Sequence, residues 1–219
     1  MEKFSLHFEA DLERGGRSVL DIRPLLWRDG WPVAGENLTA GTYEIQSART
    51  GTSLEMAVEG VPVGGPRRPG GFGGPGAAAP PAPIPAQDPA QVAGRWPAGL
   101  VAARLSQYLV QAQQKWEIMP VLDAGGYPGS PYFRITVAGT NRALAATSDA
   151  ELVVLPAFTG APEQLWRIDQ LTDGTYRVMP RVVPGSPEPM ALSAIGSSMP
   201  TLATFDPASD RQRWLLRTP

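Results

Sequence analysis

The tripeptides Gln114-Lys115-Trp116, Gln164-Leu165-Trp166 and Gln212-Arg213-Trp214 form a repeat in the second half of the chain. Their tryptophans are separated by 50 and 48 residues. Each tryptophan opens a short segment in which apolar residues alternate, which is the period of a half-buried β-strand. Self-similarity at a nearly fixed interval is typical of folds built from one repeated supersecondary unit. The sequence therefore predicts three copies of a β unit.

A second predicted strand precedes each tripeptide and opens on an aromatic residue, at Tyr43, Phe133 and Tyr176. The separation between this aromatic residue and the tryptophan is 73 residues in the first unit, 33 in the second and 38 in the third. The excess in the first unit matches a tract at about 60–99, most of whose Gly and Pro residues lie in its first thirty positions. Such a composition disfavours helices and interior strands. We therefore expect a disordered or irregular surface insertion there.

The composition of the chain excludes several classes of function. With 219 residues, 42% of them hydrophobic, the chain is long enough to bury a core. Its net charge of −2 provides no basic surface for nucleic acid or an anionic membrane. It contains no cysteine and one histidine, so disulfides, a thiolate zinc site and a thiol nucleophile are excluded.

The three Gln-x-Trp units resemble the ricin-type β-trefoil modules, which include the carbohydrate-binding modules of family 13. The resemblance extends over residues 39–219. It implies an all-β fold, a β-trefoil of three repeats whose tryptophans pack in the core of a closed barrel. In this interpretation the Gly/Pro-rich insertion at about 60–99 belongs to the first repeat.

In ricin-type modules, a carboxylate that follows a leucine in one strand of a repeat holds the hydroxyl groups of the sugar. The first repeat has Leu54-Glu55-Met56 at this position, so the resemblance places a carbohydrate-binding carboxylate at Glu55. The second repeat has Leu144-Ala145-Ala146 and the third has Leu192-Ser193, neither with an acid. The first repeat is therefore the predicted carbohydrate-binding lobe.

Sugar recognition also needs an aromatic ring that stacks on the sugar and amide groups that bind its hydroxyls. Gln111 and Gln113 are the candidate amides beside Glu55. No repeat keeps the aromatic residue that ricin-type modules use as a platform. Trp96, which we expect to be exposed on the insertion, is the candidate substitute ring.

Residues 1–38 lie outside the repeat and have the pattern of a β-hairpin. Phe4–Ala10 alternates as a strand, Gly15-Gly16 forms a turn, and Ser18–Trp27 returns as a second strand. A lone hairpin is marginally stable in water, so we expect these strands to pack against another part of the protein.

The segments Ile22-Arg23-Pro24-Leu25-Leu26-Trp27 and Asp29-Gly30-Trp31-Pro32 resemble the end of the catalytic domain of glycoside hydrolase family 43, particularly its arabinan endo-1,5-alpha-L-arabinosidases. That domain is a five-bladed β-propeller. The resemblance implies that residues 1–38 are a β-hairpin of its last blade and that His7 helps to hold a calcium ion on the propeller axis. Calcium needs six to eight mainly oxygen ligands. We therefore expect this role only in a full-length parent with the whole propeller, and no cofactor in this chain.

Glycoside hydrolysis uses two positioned carboxylates, and in family 43 these come from earlier blades. The acidic residues of positions 1–38 lie in or beside one hairpin, and the chain has no G-x-S-x-G, P-loop or H-E-x-x-H motif. We therefore expect no enzymatic activity from this chain. The parent is expected to be a family 43 glycoside hydrolase, with this chain as its C-terminal portion, cut within the last blade.

Two functions follow from these resemblances. The first is an accessory carbohydrate-binding module of an arabinan-type polysaccharide hydrolase, whose partners are the polysaccharide and the parent's catalytic propeller. The alternative is a degenerate, non-binding trefoil that packs on that propeller; a free-standing lectin is a third possibility. The start of the chain, Met1-Glu2-Lys3-Phe4-Ser5, lacks the apolar run of a signal peptide. An extracellular or periplasmic location therefore follows only from the resemblance to polysaccharide-degrading enzymes.

Overall fold

The computed structural model describes residues 4–11, 17–58, 88–127 and 130–219. Strands β1 to β5 are Phe4–Asp11, Arg17–Arg28, Trp31–Ala34, Gly41–Ser47 and Ser53–Met56. The four-residue helix α1 is Pro89–Val92, and strands β6 to β9 are Val101–Ser106, Trp116–Pro120, Gly126–Tyr127 and Ser130–Pro131. Strands β10 to β17 are Phe133–Val137, Ala143–Ala146, Leu152–Leu155, Trp166–Gln170, Tyr176–Pro180, Met190–Ile195, Met199–Thr204 and Trp214–Arg217. Five 3₁₀ turns are Ala93–Arg95, Ala112–Gln114, Leu122–Ala124, Pro162–Gln164 and Asp210–Gln212.

Six strands form a closed antiparallel ring, in the order β4, β7, β10, β13, β14, β17 and back to β4. Each repeat supplies its first and fourth strands to this ring. The aromatic residue of the first strand, which is the first residue of β10 and β14 and the third of β4, lies opposite the tryptophan that opens the fourth strand in every repeat. These pairs are Tyr43 with Trp116, Phe133 with Trp166, and Tyr176 with Trp214. The two sequence markers of each unit are therefore cross-strand neighbours.

The second and third strands of each repeat form a hairpin, giving β5–β6, β11–β12 and β15–β16. The hairpins contact one another through Leu105 N, which donates to Ser198 O at 2.8 Å, and Leu202 N, which donates to Ala150 O at 2.8 Å. Strand β12 also pairs with β6. A six-stranded ring with three associated hairpins is a β-trefoil, so the predicted all-β fold is confirmed.

The core of the trefoil is built from equivalent positions of the three repeats. Each first strand buries the aliphatic residue that follows its aromatic residue by two positions, and each fourth strand buries its tryptophan. All six side chains are fully buried: Ile45, Ile135, Val178, Trp116, Trp166 and Trp214. Burying one large apolar side chain contributes about 1.5–3 kcal/mol. One repeat alone has no surface on which to bury this face, which is why three close together.

The N-terminal strands form a three-stranded antiparallel sheet in the order β1–β2–β3. The prediction of a hairpin was incomplete, because a third strand follows Asp29 and Gly30. These two residues have φ of 50° and 81°. Two consecutive positive φ values are typical of a two-residue turn whose twist matches that of the strands it joins. The turn therefore continues the sheet through Trp31, opposite Arg28.

The N-terminal sheet contacts the hairpin formed by β13 and β14. The backbone N–H of Glu36 donates to Gln170 Oε1 at 2.6 Å, and Arg28 Nη2 donates to Thr172 O at 2.8 Å. Gly35 N donates to Pro24 O at 2.7 Å, which fixes the backbone at the point where the chain leaves β3. These contacts supply the packing partner that a small sheet requires for stability.

The C-terminal end of the predicted insertion belongs to the trefoil core. Residues 59–87 lie outside the described residues, whereas residues 88–99 contain α1 and the 3₁₀ turn Ala93–Arg95. Val92 is 9% exposed and packs in the core cluster. The expectation of an irregular surface tract up to residue 99 is therefore wrong for this end, because local helical turns bring apolar side chains back to the core. No helix in the described ranges has the length and apolar character to cross a membrane.

Gly35→Ala is expected to loosen the contact between the N-terminal sheet and the β13–β14 hairpin. A Cβ at Gly35 would lie 3.1 Å from Gln170 Oε1, 3.2 Å from Leu26 Cδ1 and 3.2 Å from Pro24 O. Overpacking of this kind costs about 1–3 kcal/mol, measurable by urea unfolding and as faster hydrogen exchange at the Glu36 amide. Gly94→Ala is the matched control, because a Cβ there meets no atom within 4 Å. Wild-type exchange at Glu36 in Gly35→Ala would contradict the close contact.

Candidate functional site

The tryptophan of each Gln-x-Trp tripeptide is hydrogen-bonded to the hairpin of its own repeat. Its indole Nε1 donates to a leucine carbonyl in the second strand. The bonds are Trp116 to Leu54 O at 2.8 Å, Trp166 to Leu144 O at 3.0 Å and Trp214 to Leu192 O at 2.9 Å. The predicted core position of the tryptophans is confirmed. The three leucines also identify equivalent positions in the repeats.

The glutamine of each tripeptide holds the loop that precedes it. In every repeat its Oε1 accepts a backbone N–H and its Nε2 donates to a backbone carbonyl. The bonds are Leu109 N at 2.8 Å and Gln107 O at 2.8 Å for Gln114, Thr159 N at 2.7 Å and Ala157 O at 2.9 Å for Gln164, and Asp206 N at 3.0 Å and Thr204 O at 2.9 Å for Gln212. All three glutamine side chains are buried. These amides are structural.

Glu55 occupies the position after the equivalent leucine in the first repeat, and it is only 2% exposed. Its Oε1 accepts a bond from Arg104 Nε at 2.5 Å, and its Oε2 accepts one from Gln114 Nε2 at 2.9 Å. Arg104 lies opposite Glu55 on β6 and keeps 47% of its side chain exposed. The predicted binding carboxylate therefore lies inside the protein, and the group that it holds at the surface is the Arg104 guanidinium.

Gln111 and Gln113 belong to the same polar cluster as Glu55. Gln113 is 1% exposed, and its Nε2 donates to Gln111 Oε1 at 2.5 Å. The backbone N–H of Gln111 donates to Gln114 Oε1 at 3.3 Å, which joins the pair to the Glu55 network. Gln111 is partly exposed. Because its Oε1 is occupied, its amide nitrogen is the group that it offers to a ligand.

Trp96 is not exposed, so this prediction is wrong. The side chain is 8% exposed and packs in the hydrophobic core cluster with Val58 and Val92. Its backbone N–H donates to Ala93 O at 3.2 Å, closing the 3₁₀ turn that directs the ring inward. Arg142 then holds the following residues through bonds to Pro97 O and Gly99 O. The buried indole provides no stacking platform.

The strongly exposed tryptophans among the described residues are Trp27 and Trp31, at 49% and 76%. Both lie on the β2–β3 hairpin of the N-terminal sheet rather than in a lobe of the trefoil. The signal that identifies them in the sequence is the Asp29-Gly30 turn, which places its flanking residues at the tip of a hairpin.

His7, the predicted calcium ligand of a complete propeller, lies on β1 with its backbone opposite Asp21. Its side chain lies outside the described part of the structure. Within that part, no group of three or more His, Asp or Glu residues is arranged to hold a metal ion. The role of His7 in a longer parent stays a prediction.

Residues 112–185 match the family model described as ricin-type β-trefoil lectin domain-like. A mosquitocidal holotoxin is 12% identical, with a TM-score of 0.54 over 84% of this chain and 18% of the holotoxin chain. A Polyporus squamosus lectin, bound to a human-type influenza-binding epitope, is 13% identical, with a TM-score of 0.51 over 83% of this chain and 50% of the lectin chain. No curated protein sequence matches.

The chain has the β-trefoil fold, and part of it matches the ricin-type lectin domain. It spans half of the lectin chain and less than a fifth of the holotoxin chain. At these identities the solved structures establish the fold alone. The ricin-type match covers the end of the first repeat, the whole second repeat and the start of the third.

Glu55→Ala is expected to lower the free energy of unfolding by about 1–3 kcal/mol. The substitution leaves the buried Gln114 amide and the Arg104 guanidinium without their carboxylate partner. Ser193→Ala, at the equivalent buried position of the third repeat, is the matched control and should be less destabilising, because it removes no charged partner. Chemical unfolding of both variants checks this. Equal stabilities would show that the Glu55 network does not stabilise the lobe.

Proposed function

We propose that this chain is an accessory carbohydrate-binding module of an arabinan-type polysaccharide hydrolase. The ricin-type match over residues 112–185 and the trefoil fold support the binding function. The resemblance of Ile22–Trp27 and Asp29–Pro32 to the end of a family 43 propeller supports the hydrolase parent. Its partners would be the polysaccharide and the catalytic propeller, at an extracellular or periplasmic location.

The polar cluster of the first repeat is the observation that carries this proposal. At the position of Glu55 the other repeats have Ala145 and Ser193. Opposite these residues lie Val153 and Thr201, where the first repeat has Arg104. The first repeat alone among the three combines an acid, a guanidinium and the partly exposed amide of Gln111 at equivalent positions. Sugar hydroxyls are bound by such sets of oriented donors and acceptors.

Arg104 and Gln111 are the residues that we assign to sugar contact, and Glu55 and Gln113 are positioning residues. Glu55 holds the Arg104 guanidinium through Nε, and a second bond from Arg104 Nη2 to Val58 O at 3.2 Å fixes its orientation. Gln113 orients the Gln111 amide. Groups held in this way lose little rotamer freedom on binding, which favours affinity.

We assign no hydrolytic step to this chain. Hydrolysis requires one carboxylic acid and one carboxylate on either side of a bound sugar. The buried acids of the described residues, Glu44 and Glu55, are bonded inside the protein. Glu44 accepts bonds from Ser53 Oγ and Gln46 Nε2. These acids act as hydrogen-bond acceptors within their own repeat.

A structural trefoil that packs on the propeller is the second candidate function. The burial of Glu55 and Trp96 favours it, because both are predicted sugar contacts with little accessible surface. The exposed rings of Trp27 and Trp31 on the N-terminal sheet favour it as well, since exposed aromatic side chains are typical of protein contact surfaces. The two candidates differ in whether the free chain binds polysaccharide.

Gln111→Ala is expected to weaken polysaccharide binding by about 2- to 10-fold, the effect of one lost hydrogen bond. Affinity electrophoresis in gels containing arabinan, xylan, galactan or no polymer measures this. Wild-type chain should be retarded by arabinan. Ser209→Ala is the matched control, because Ser209 precedes the 3₁₀ turn Asp210–Gln212 of the third repeat as Gln111 precedes Ala112–Gln114 of the first. No retardation of the wild type by any polymer would favour the structural candidate.

A further inference from the structure

The second and third repeats each carry an arginine stacked on a phenylalanine at equivalent positions. The arginine is the second residue of the first strand, and the phenylalanine lies in the loop before the Gln-x-Trp tripeptide. The Arg134 guanidinium carbon is 5.8 Å from the centroid of the Phe158 ring, and the Arg177 carbon is 4.2 Å from that of Phe205. The shorter distance identifies the third repeat as the closer stack.

The guanidinium of Arg177 has donors that no described residue uses. The Arg177 side chain forms no hydrogen bond with a described residue, and its Nε is buried without a partner. The terminal nitrogens are not among the buried atoms, so they reach the surface. A guanidinium whose face is covered by a ring presents its edge, which is the geometry that binds a carboxylate or sulfate through two parallel bonds.

The charges around Arg177 leave an excess cation. Arg167 Nε donates to Asp169 Oδ1 at 2.8 Å, and Arg213 Nη1 donates to Asp173 Oδ2. Burial lowers the pKa of Arg177, the Asp169 charge opposes this shift, and the Arg213 and Arg167 charges add to it. The Arg177 guanidinium therefore lies within electrostatic range of Arg167, Asp169 and Arg213, and Arg213 is paired with Asp173. Among these described residues, the three cations Arg167, Arg177 and Arg213 lie with the two carboxylates of Asp169 and Asp173.

The first repeat reverses this charge. Glu44 occupies the position of Arg177, and Tyr108 occupies the position of Phe205. Glu44 is buried, and its charge contributes, after burial, to raising the pKa of the Tyr108 hydroxyl. A buried carboxylate repels an anion. The equivalent position of the first repeat is therefore closed to an anionic ligand.

We propose that Arg177, stacked on Phe205 and flanked by Arg213, binds the anionic group of an acidic saccharide. The group is a carboxylate or a sulfate ester, which share the geometry of paired oxygens. The site rests on the proposed carbohydrate-binding function and adds a second, charge-selective subsite to it. We assign a saccharide as the ligand because a single positive charge suits a single anionic substituent. A nucleic acid requires several basic side chains along its backbone.

Titration calorimetry of the full chain with galacturonate oligomers, and with neutral galactose oligomers of the same length, tests the site. Wild-type chain should bind the acidic oligomer more tightly. Arg177→Gln should weaken that binding by about 10- to 100-fold, as expected for a lost charge-assisted bond. Arg217→Gln removes the same charge from an exposed residue and is the matched control. Equal losses in the two variants, or none in Arg177→Gln, would overturn the proposal.

Salt dependence of the wild type provides a test that does not depend on how the variant folds. Raising the salt concentration from about 0.05 M to about 0.5 M should weaken binding of the acidic oligomer and leave the neutral one unchanged. A salt-independent preference would contradict the site. A sulfated galactose oligomer tests the sulfate ester separately from the carboxylate of the galacturonate oligomer. The anionic group that binds at Arg177 is the one whose oligomer loses affinity in Arg177→Gln, and both oligomers should do so if both groups are ligands.

The outcome is separable from that of the proposed function. In one outcome neutral arabinan retards the chain, Gln111→Ala weakens this retardation, and the acidic oligomer is not preferred. This outcome would reject the Arg177 site and retain the first-repeat site. In the other outcome the chain binds the acidic oligomer, Arg177→Gln weakens this binding, and arabinan does not retard the chain. This outcome would retain the Arg177 site and reject the arabinan assignment.

Discussion

The hydrogen bond from each tryptophan indole to a leucine carbonyl is the interaction on which the trefoil depends. A buried indole N–H needs an acceptor, and the second strand of the same repeat supplies it. The bond fixes the hairpin relative to the barrel strand that the tryptophan opens. The neighbouring glutamine fixes the intervening loop through two backbone bonds. Two side chains therefore position most of a repeat.

This shared frame allows the repeats to differ in the polar groups that they present. Position 55 and its equivalents are buried in all three repeats, as Glu55, Ala145 and Ser193. An acid is tolerated there because Arg104 and Gln114 satisfy both oxygens, whereas an unpaired buried carboxylate would be strongly destabilising. The polar surface that a lobe presents therefore depends on which partners surround a few positions.

The sequence allowed the barrel to be predicted because its signal is local and repeated: a tryptophan in a strand, three times at nearly equal spacing. The site was harder to predict because its contacts are not local. Arg104 lies 49 residues from Glu55, beyond the insertion, and no pattern near Glu55 indicates their pairing. Trp96 has the sequence context of a loop. Its burial follows from a four-residue helix and one 3₁₀ turn that are stabilised by the core against which they pack.

The polar clusters of the first and third repeats are suited to different ligands for electrostatic reasons. In the first repeat Glu55 neutralises Arg104 at contact distance, so the surface offers oriented donors without net charge, as neutral hydroxyls require. In the third repeat the carboxylates of Asp169 and Asp173 pair with Arg167 and Arg213, and Arg177 adds a further positive charge. The net charge of −2 does not cancel the local positive charge at Arg177, because salt screens charges beyond about 8–10 Å. Local pairing, rather than the charge of the whole chain, therefore sets the electrostatics of each proposed saccharide site.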